Sequence, residues 1–241
     1  MNSTTINRLI VLIIFYLNIT TTQAQEIKLH INSGYANYGM SELKDFQKNL
    51  VDQIDIPLKI TDNYPSYLTF EAGFIYEYKE YKVGIFYGRL STGARATRSD
   101  YSGAYYMDNT LNSNLIGIRG ELRLIEFKKI TLWGGSSLGV LHSNAKFKEK
   151  ITITSISSKN VLKLKSNSSY LEFFTTANYQ LKYINLYASI GYGFDLKGYL
   201  FLKDNNDAFL ESNNRKVKTD WSGIRLRFGI EISLFKISSL I

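Results

Sequence analysis

The chain has 241 residues, and its 29 Lys and Arg against 21 Asp and Glu give a formal net charge of +8. It contains no cysteine, which excludes disulfide scaffolds, thiolate metal sites and cysteine nucleophiles. A hydrophobic fraction of 44% and 18 tyrosines favour a folded chain over a disordered one. The length fits one or two soluble domains, or a single all-β barrel.

Residues 1–24 have the pattern of an export signal. Arg8 supplies a positive start, residues 9–17 are apolar, and Thr22 and Ala24 place small residues before a cleavage point. We therefore expect cleavage after Ala24 and a mature chain of residues 25–241 that forms one domain. The alternative is an uncleaved membrane anchor, for which the apolar run is short.

After residue 25, apolar and polar residues alternate with a period of two, which is typical of β-strands with one oily and one polar face. The last run shows this most clearly, because Ile224, Leu226 and Phe228 alternate with Arg225 and Arg227. Eight such runs occur, at 27–38, 67–78, 81–90, 114–127, 130–142, 170–181, 184–196 and 221–235.

The connections between these runs alternate strictly between short and long. The short ones are 79–80, 128–129 and 182–183, and the long ones are 39–66, 91–113, 143–169 and 197–220. This pattern predicts an all-β fold: an eight-stranded, antiparallel, up-and-down transmembrane β-barrel with tight periplasmic turns and long extracellular loops.

Aromatic residues mark both ends of the predicted strands, as expected for two membrane interfaces. Those beside the short turns are Tyr76, Tyr78, Tyr81, Phe127, Tyr179 and Tyr183. Those at the opposite ends are Tyr67, Phe70, Tyr87, Tyr170, Phe173 and Trp221.

In this architecture the chain resembles the small eight-stranded outer-membrane β-barrels, of the OmpX/OmpW-like and OmpA transmembrane-domain type. Segments 40–46, 91–95 and 100–103 look like parts of uncharacterised barrels of the Bacteroidetes kind. The resemblance implies a monomer in the Gram-negative outer membrane, inserted by the barrel-assembly machinery, and it implies no particular activity. Such barrels usually end on an aromatic residue, whereas here residues 236–241 follow Phe235.

Charged residues at inward positions predict the content of the lumen. An eight-stranded barrel is only wide enough for side chains to fill, and buried charges must be paired. We therefore predict that ion pairs fill the lumen, with a narrow pore for small solutes as the alternative. The predicted lumen residues are Glu71, Glu77, Lys82, Arg119, Glu121, Arg123, Glu172, Asp195, Arg225, Arg227 and Glu231.

The long connections carry the candidate binding residues. Apolar residues at helical spacing over 41–56 predict a short amphipathic helix with Ser41 as N-cap. It could cap the barrel mouth, lie on the outer leaflet or dock a partner. The binding candidates are Asp100, Tyr101, Tyr105, Tyr106, Lys146, Lys148 and Lys150, and the lysines suit the phosphates of lipopolysaccharide and other outer-membrane lipid.

The only histidines are His30 and His142. His142 and Ser143 are adjacent, so on a strand they point to opposite faces and cannot act as base and nucleophile. His30 has no matching acid in the sequence pattern and is interpreted as structural. We expect no enzyme, cofactor, metal or nucleic-acid partner.

The predicted role is envelope integrity or interaction at the cell surface through the extracellular loops. A soluble lipocalin-like binding protein with its apolar face inward is the rival fold, because periodicity does not say which face points in.

Overall fold

The period-two alternation forms long strands that account for most of the chain. The computed structural model describes residues 25–54, 57–101, 103–153, 156–182 and 184–237. In chain order, the elements are β1 Gln25–Ala36, α1 Ser41–Asp52, β2 Lys59–Asn63, β3 Tyr67–Tyr78, β4 Tyr81–Asp100, β5 Gly103–Phe127, β6 Ile130–Ile153, β7 Ile156–Gln180, β8 Ile184–Asp195, β9 Phe201–Leu202, β10 Asn205–Phe209, β11 Glu211–Ser212, β12 Arg215–Lys216 and β13 Gly223–Ile237. The predicted export signal at 1–24, Tyr183 and the tail at 238–241 lie outside the described residues.

Eight of these strands close into a ring. Each pairs antiparallel with its neighbours in the order β1, β3, β4, β5, β6, β7, β8 and β13, and β13 returns to β1. The ring is the predicted up-and-down barrel, and closure leaves its strands without a free edge over their shared length.

Apolar side chains cover the outside of the ring, and this determines its environment. Ile116 is 64% exposed and Phe228 is 67% exposed, while Arg119 and Arg227 on the same strands are buried inside. A soluble barrel would place these faces the other way round, so the lipocalin-like alternative is wrong. The exposed apolar band is that of a transmembrane barrel.

The two fully described short turns are tight. Lys79 and Lys128 begin them with positive φ angles of 52° and 54°. A side chain in this left-handed region costs about 1 kcal/mol, which other contacts offset. One such contact is the hydrogen bond that Arg123 donates to the carbonyl oxygen of Lys79, at 2.9 Å.

Two of the predicted long loops are instead continuations of the strands. β4 and β5 stay paired as far as Asp100 and Gly103, and β6 and β7 as far as Ile153 and Ile156. The predicted strand ends at 90, 114, 142 and 170 were therefore wrong. The apolar alternation stops there because the outward face leaves the lipid, but backbone pairing continues.

Helix α1 begins at Ser41, one residue earlier than the predicted cap implies. Met40, not Ser41, is the cap residue, with φ 45° and no side-chain cap bond. The reason is tertiary: the Met40 side chain is fully buried and its N–H donates to the carbonyl oxygen of Asp220 at 3.2 Å. Within the described part of the chain, no helix is long and apolar enough to cross a membrane.

The predicted aromatic belts are only partly outward. Most members that the structure describes are exposed or half-buried, but Tyr170 and Trp221 are at most 1% exposed. Tyr170 occupies an inward position on β7, and Trp221 precedes β13 and points into the barrel mouth. Both belong to the core and not to a membrane interface.

Candidate functional site: the barrel lumen and its hairpin end

Ion pairs line the part of the lumen nearest the short turns, around a cavity of about 370 Å³. Lys82 contacts both carboxylate oxygens of Glu231, at 3.0 and 2.9 Å, and its ammonium group lies 4.4 Å from the centre of the Trp133 ring. Lys28 donates to Glu77 at 2.6 Å. Carboxylates compensate both lysines for their loss of water, and the indole face of Trp133 adds to this compensation at Lys82.

A second set of charges lies deeper in the lumen. Glu71 accepts a hydrogen bond from Arg119 at 2.8 Å and lies 3.7 Å from Arg227. Arg227 also donates to Glu172 at 2.6 Å, and Arg119 lies 3.2 Å from Glu121. Two arginines and three carboxylates thus form one continuous buried network.

His30 lies within this network, which corrects the expectation that it has no matching acid. Its Nε2 is 3.3 Å from Glu71 and 2.9 Å from Arg119. Nε2 also lies 2.9 Å from the Asn32 amide nitrogen and 2.7 Å from the Tyr187 hydroxyl. Tyr187 stacks on the ring at a centroid distance of 4.7 Å.

Three predicted lumen residues are in different settings from the rest. Arg123 pairs with Glu126 at the short-turn rim, where both are partly exposed. Asp195 accepts the main-chain N–H of Trp221 at 3.0 Å, and Arg225 donates to the Trp221 carbonyl at 3.1 Å. The last two therefore brace the main chain. No ion pair among the described residues includes either of them.

Several inward residues were missed in the sequence. The signal was available, because each occupies an inward parity position of a predicted strand. The missed lumen residues are Lys28, Asn32, Trp133, Tyr170, Asn178 and Tyr187.

A cluster of buried apolar residues lies at the end of the lumen opposite the short turns. We call it the plug, and its centre is Leu115, Leu141 and Trp221, each at most 1% exposed. The Trp221 indole donates to Ser143 Oγ at 2.9 Å. Leu43 of α1 packs against the same cluster, so the helix covers the barrel mouth.

The paired hairpins beyond the plug carry the predicted loop residues. Asp100 and Tyr101 lie at the β4–β5 tip and Tyr106 is exposed, but Tyr105 is only 5% exposed and donates to Glu149. Tyr105 was therefore wrongly placed among the exposed loop residues. Burial is the main reason why the pKa of the Tyr105 hydroxyl is raised, and its hydrogen bond to the Glu149 carboxylate raises this pKa further.

Lys146, Lys148 and Lys150 lie on the outward face of β6. Lys146 is directly opposite Lys163 on β7, and Lys150 is opposite Lys159. Paired residues of antiparallel strands share a face, and Lys165 shares it by parity. We call this set the lysine face; it consists of Lys146, Lys148, Lys150, Lys159, Lys163 and Lys165. The pKa of Lys146 is lowered, chiefly because the charge of Lys148 repels its ammonium group. Desolvation and the charges of Lys163 and Lys159 add to this effect.

His142 and Ser143 have the predicted opposite orientations. His142 is exposed, while Ser143 is buried and donates to Ser113 Oγ at 3.1 Å. They do not form a nucleophile–base pair. Among the residues that the structure describes, no group of three His, Asp or Glu side chains could hold a metal.

The closed ring of eight strands with an apolar outside and a charged inside decides the architecture. The chain has the fold of the small outer-membrane β-barrels. Its fold is similar to Neisserial surface protein A, at 10% identity and a TM-score of 0.41, covering 88% of this chain and 99% of that one. It is also similar to OprG from Pseudomonas aeruginosa, at 13% identity and a TM-score of 0.42, covering 88% of this chain and 95% of that one.

A third similar structure is Ail of Yersinia pestis, at 12% identity and a TM-score of 0.36, covering 89% of this chain and 100% of that one. No protein-family model and no curated protein matches the chain. At TM-scores below 0.5 these similarities support no inference of their own, and no ligand or partner is transferred from these proteins.

Proposed function

We propose that the protein is a non-enzymatic, non-conducting barrel of the Gram-negative outer membrane that serves envelope integrity or surface interaction through its hairpins. The short turns face the periplasm and the hairpin end faces outward. The plug is the observation that carries this proposal. Leu115, Leu141 and Trp221 present no charge or open path to a hydrated ion at the outer mouth.

The charged network closes the lumen a second time, on the periplasmic side of the plug. Below the plug, Arg119, Arg227 and Glu172 fill the lumen and are each at most 4% exposed. An eight-stranded barrel has room for its own side chains and little else. An ion would have to displace paired charges and then cross an apolar layer.

Planar-bilayer recording tests the proposal. The full chain is inserted, with insertion verified by heat-modifiable mobility of the same preparation, and we expect no unitary current steps. A variant with Trp221→Ala, Arg119→Ala and Arg227→Ala opens both closures and is expected to conduct, which shows that a path would be detected. Unitary steps from the unaltered protein would establish the narrow pore instead.

The lysine face supports lipopolysaccharide as a partner. Along β6 it follows the exposed apolar residues Leu138 and Val140, so it starts just beyond the membrane-facing band. The nearest carboxylate in register is Asp108, opposite Lys148, and it is already paired with Arg95. Six lysines with little local compensation fit the phosphates of the outer leaflet, at about 1 kcal/mol per basic residue.

Reconstitution into vesicles tests this partner. Replacing Lys146, Lys148 and Lys163 with Gln is expected to remove about 3 kcal/mol of the stabilisation that lipopolysaccharide gives over phosphatidylcholine. Replacing Lys44, Lys48 and Lys59 with Gln makes the same charge change at the same end and is the control. An equal loss in both variants would mean that only net charge matters.

A further inference from the structure

A cleft separates α1 from the β11–β12 hairpin at the outer end of the barrel. Its volume is about 750 Å³, within the roughly 300–1,000 Å³ typical of small-molecule sites. Glu42, Asp45 and Asn49, which are three and four residues apart, form the helix wall. The opposite wall consists of Tyr199, Ser212, Asn213, Arg215, Lys216 and Lys218.

The two walls have opposite charge and do not neutralise each other. The helix wall carries Glu42 and Asp45, and the other wall carries three cationic side chains. Among the described residues, no ion pair joins the walls. They are joined only at the edges, where the Lys218 main-chain N–H donates to Glu42 at 2.8 Å and Asn49 donates to Ser212 at 3.2 Å.

Aromatic rings hold two of the cations away from the carboxylates. The Lys216 ammonium lies 3.7 Å from the centre of the Phe209 ring, and the Lys218 ammonium lies 4.8 Å from that of Tyr199. Such contacts fix a cation without neutralising it. Separated charges are therefore a feature of the folded cleft.

The cleft also contains one free charge of each sign. Within the described residues, the side chains of Asp45 and Arg215 have neither a hydrogen bond nor an ion pair. Asp45 can accept from an ammonium group, and Arg215 can donate two parallel bonds to a carboxylate or phosphate.

We propose that this cleft binds a zwitterion, with an ammonium group against Glu42 and Asp45 and a phosphate or carboxylate against Arg215, Lys216 and Lys218. A simple anion would leave the carboxylate wall without a partner, and a neutral sugar would leave both walls uncompensated. This deepens the proposed surface interaction by naming its ligand chemistry, and it rests on the outward orientation of the hairpin end.

Titration of the full chain in nonionic detergent tests the site. The probes are O-phosphoethanolamine, ethanolamine and inorganic phosphate, followed by the backbone amide NMR shifts of Ser212 and Asn213. We expect O-phosphoethanolamine to bind at least about fivefold more tightly than phosphate, because the second charged contact adds the energy of an exposed ion pair. Vesicles that present phosphatidylethanolamine, added in a separate arm, distinguish a lipid headgroup from a free ligand.

Matched variants make the result decisive. Asp45→Asn should reduce O-phosphoethanolamine binding to the level of phosphate, and Arg215→Gln should weaken both anionic probes about fivefold. Asp52→Asn, an exposed position on the same helix outside the cleft, should change nothing.

Equal affinity for phosphate and O-phosphoethanolamine, or no response to Asp45→Asn, would reduce the cleft to an anion site and overturn the proposal. Absence of any shift with O-phosphoethanolamine would also overturn it. Current steps in the bilayer experiment would contradict the non-conducting barrel but leave this titration unaffected, so the two failures are distinguishable.

Discussion

Lys82 and Glu231 form an ion pair inside the barrel in which one ammonium group contacts both carboxylate oxygens, and each side chain is 1% exposed. The two residues belong to β4 and β13, which are not neighbours in the ring. The pair therefore ties together parts of the wall that no backbone hydrogen bond connects.

Glu231→Gln is expected to lower the free energy of unfolding by about 3 kcal/mol, because it leaves the buried Lys82 charge with only the more distant Glu77, at 3.7 Å. Urea unfolding in lipid vesicles, followed by fluorescence of the nearby Trp133, measures the loss. Lys129→Gln, in an exposed turn, should stay within about 0.5 kcal/mol. An unchanged transition for Glu231→Gln would show that Lys82 reaches water.

Ile118→Lys is expected to cost about 2–4 kcal/mol, because Ile118 lies on the lipid face in the middle of the apolar band. Thr110→Lys, on the same face of β5 but beyond the band, should cost about 1 kcal/mol or less, which is the repulsion from Lys146 directly opposite it. Insertion yield and unfolding in vesicles give both values. Equal costs at the two positions would mean that the band does not contact lipid.

Leu141→Ala should destabilise the barrel mouth by about 2–5 kcal/mol, because it leaves a cavity in the plug. Val140→Ala alters the next residue, which faces outward, and should cost about 1 kcal/mol. The fluorescence of Trp221 in a Trp133→Phe background reports on the plug alone. A larger effect at Val140 than at Leu141 would contradict the assignment of the plug.

Lys146 should titrate below the pKa of an isolated lysine, chiefly because Lys148 repels its charged form. The repulsion destabilises the folded hairpin fully below this lowered pKa and is relieved as the pH rises through it, so hairpin stability should increase over that window. NMR titration of the side chain measures the pKa. Lys148→Gln should raise it and Lys44→Gln should not, whereas a drop on addition of lipopolysaccharide would argue against phosphate contacts.

The ring could be predicted from the sequence because Ile224, Leu226 and Phe228 alternate with arginines. This alternation reflects the lipid outside the barrel and the polar lumen inside it. The same parity rule placed Glu71, Arg119 and Arg227 inside. It could not show where the strands end. Beyond residues 90 and 142 the outward face becomes polar, although inward residues such as Ala94 and Ala145 remain buried, and backbone pairing marks the hairpins.

Contacts between distant segments could not be predicted either. Tyr170 and Trp221 look like interfacial aromatics in the sequence, but the plug buries them under a helix that lies far away in the chain. The α1 cleft is similar, since Asp45 and Arg215 face each other only because β8 and β13 bring the connection at 197–220 next to α1.

Because the strands differ in length, the two halves of the barrel perimeter differ at the outer end. The four long strands, β4 to β7, are consecutive in the ring, so their extensions form one continuous sheet along half of the perimeter. The other four strands, β1, β3, β8 and β13, are shorter and end nearer the membrane. The walls of the α1 cleft belong to the connections that follow β1 and β8, two of the shorter strands. A neighbour in a crowded membrane therefore meets either the lysine face or the cleft, depending on how the barrel is rotated about its own axis.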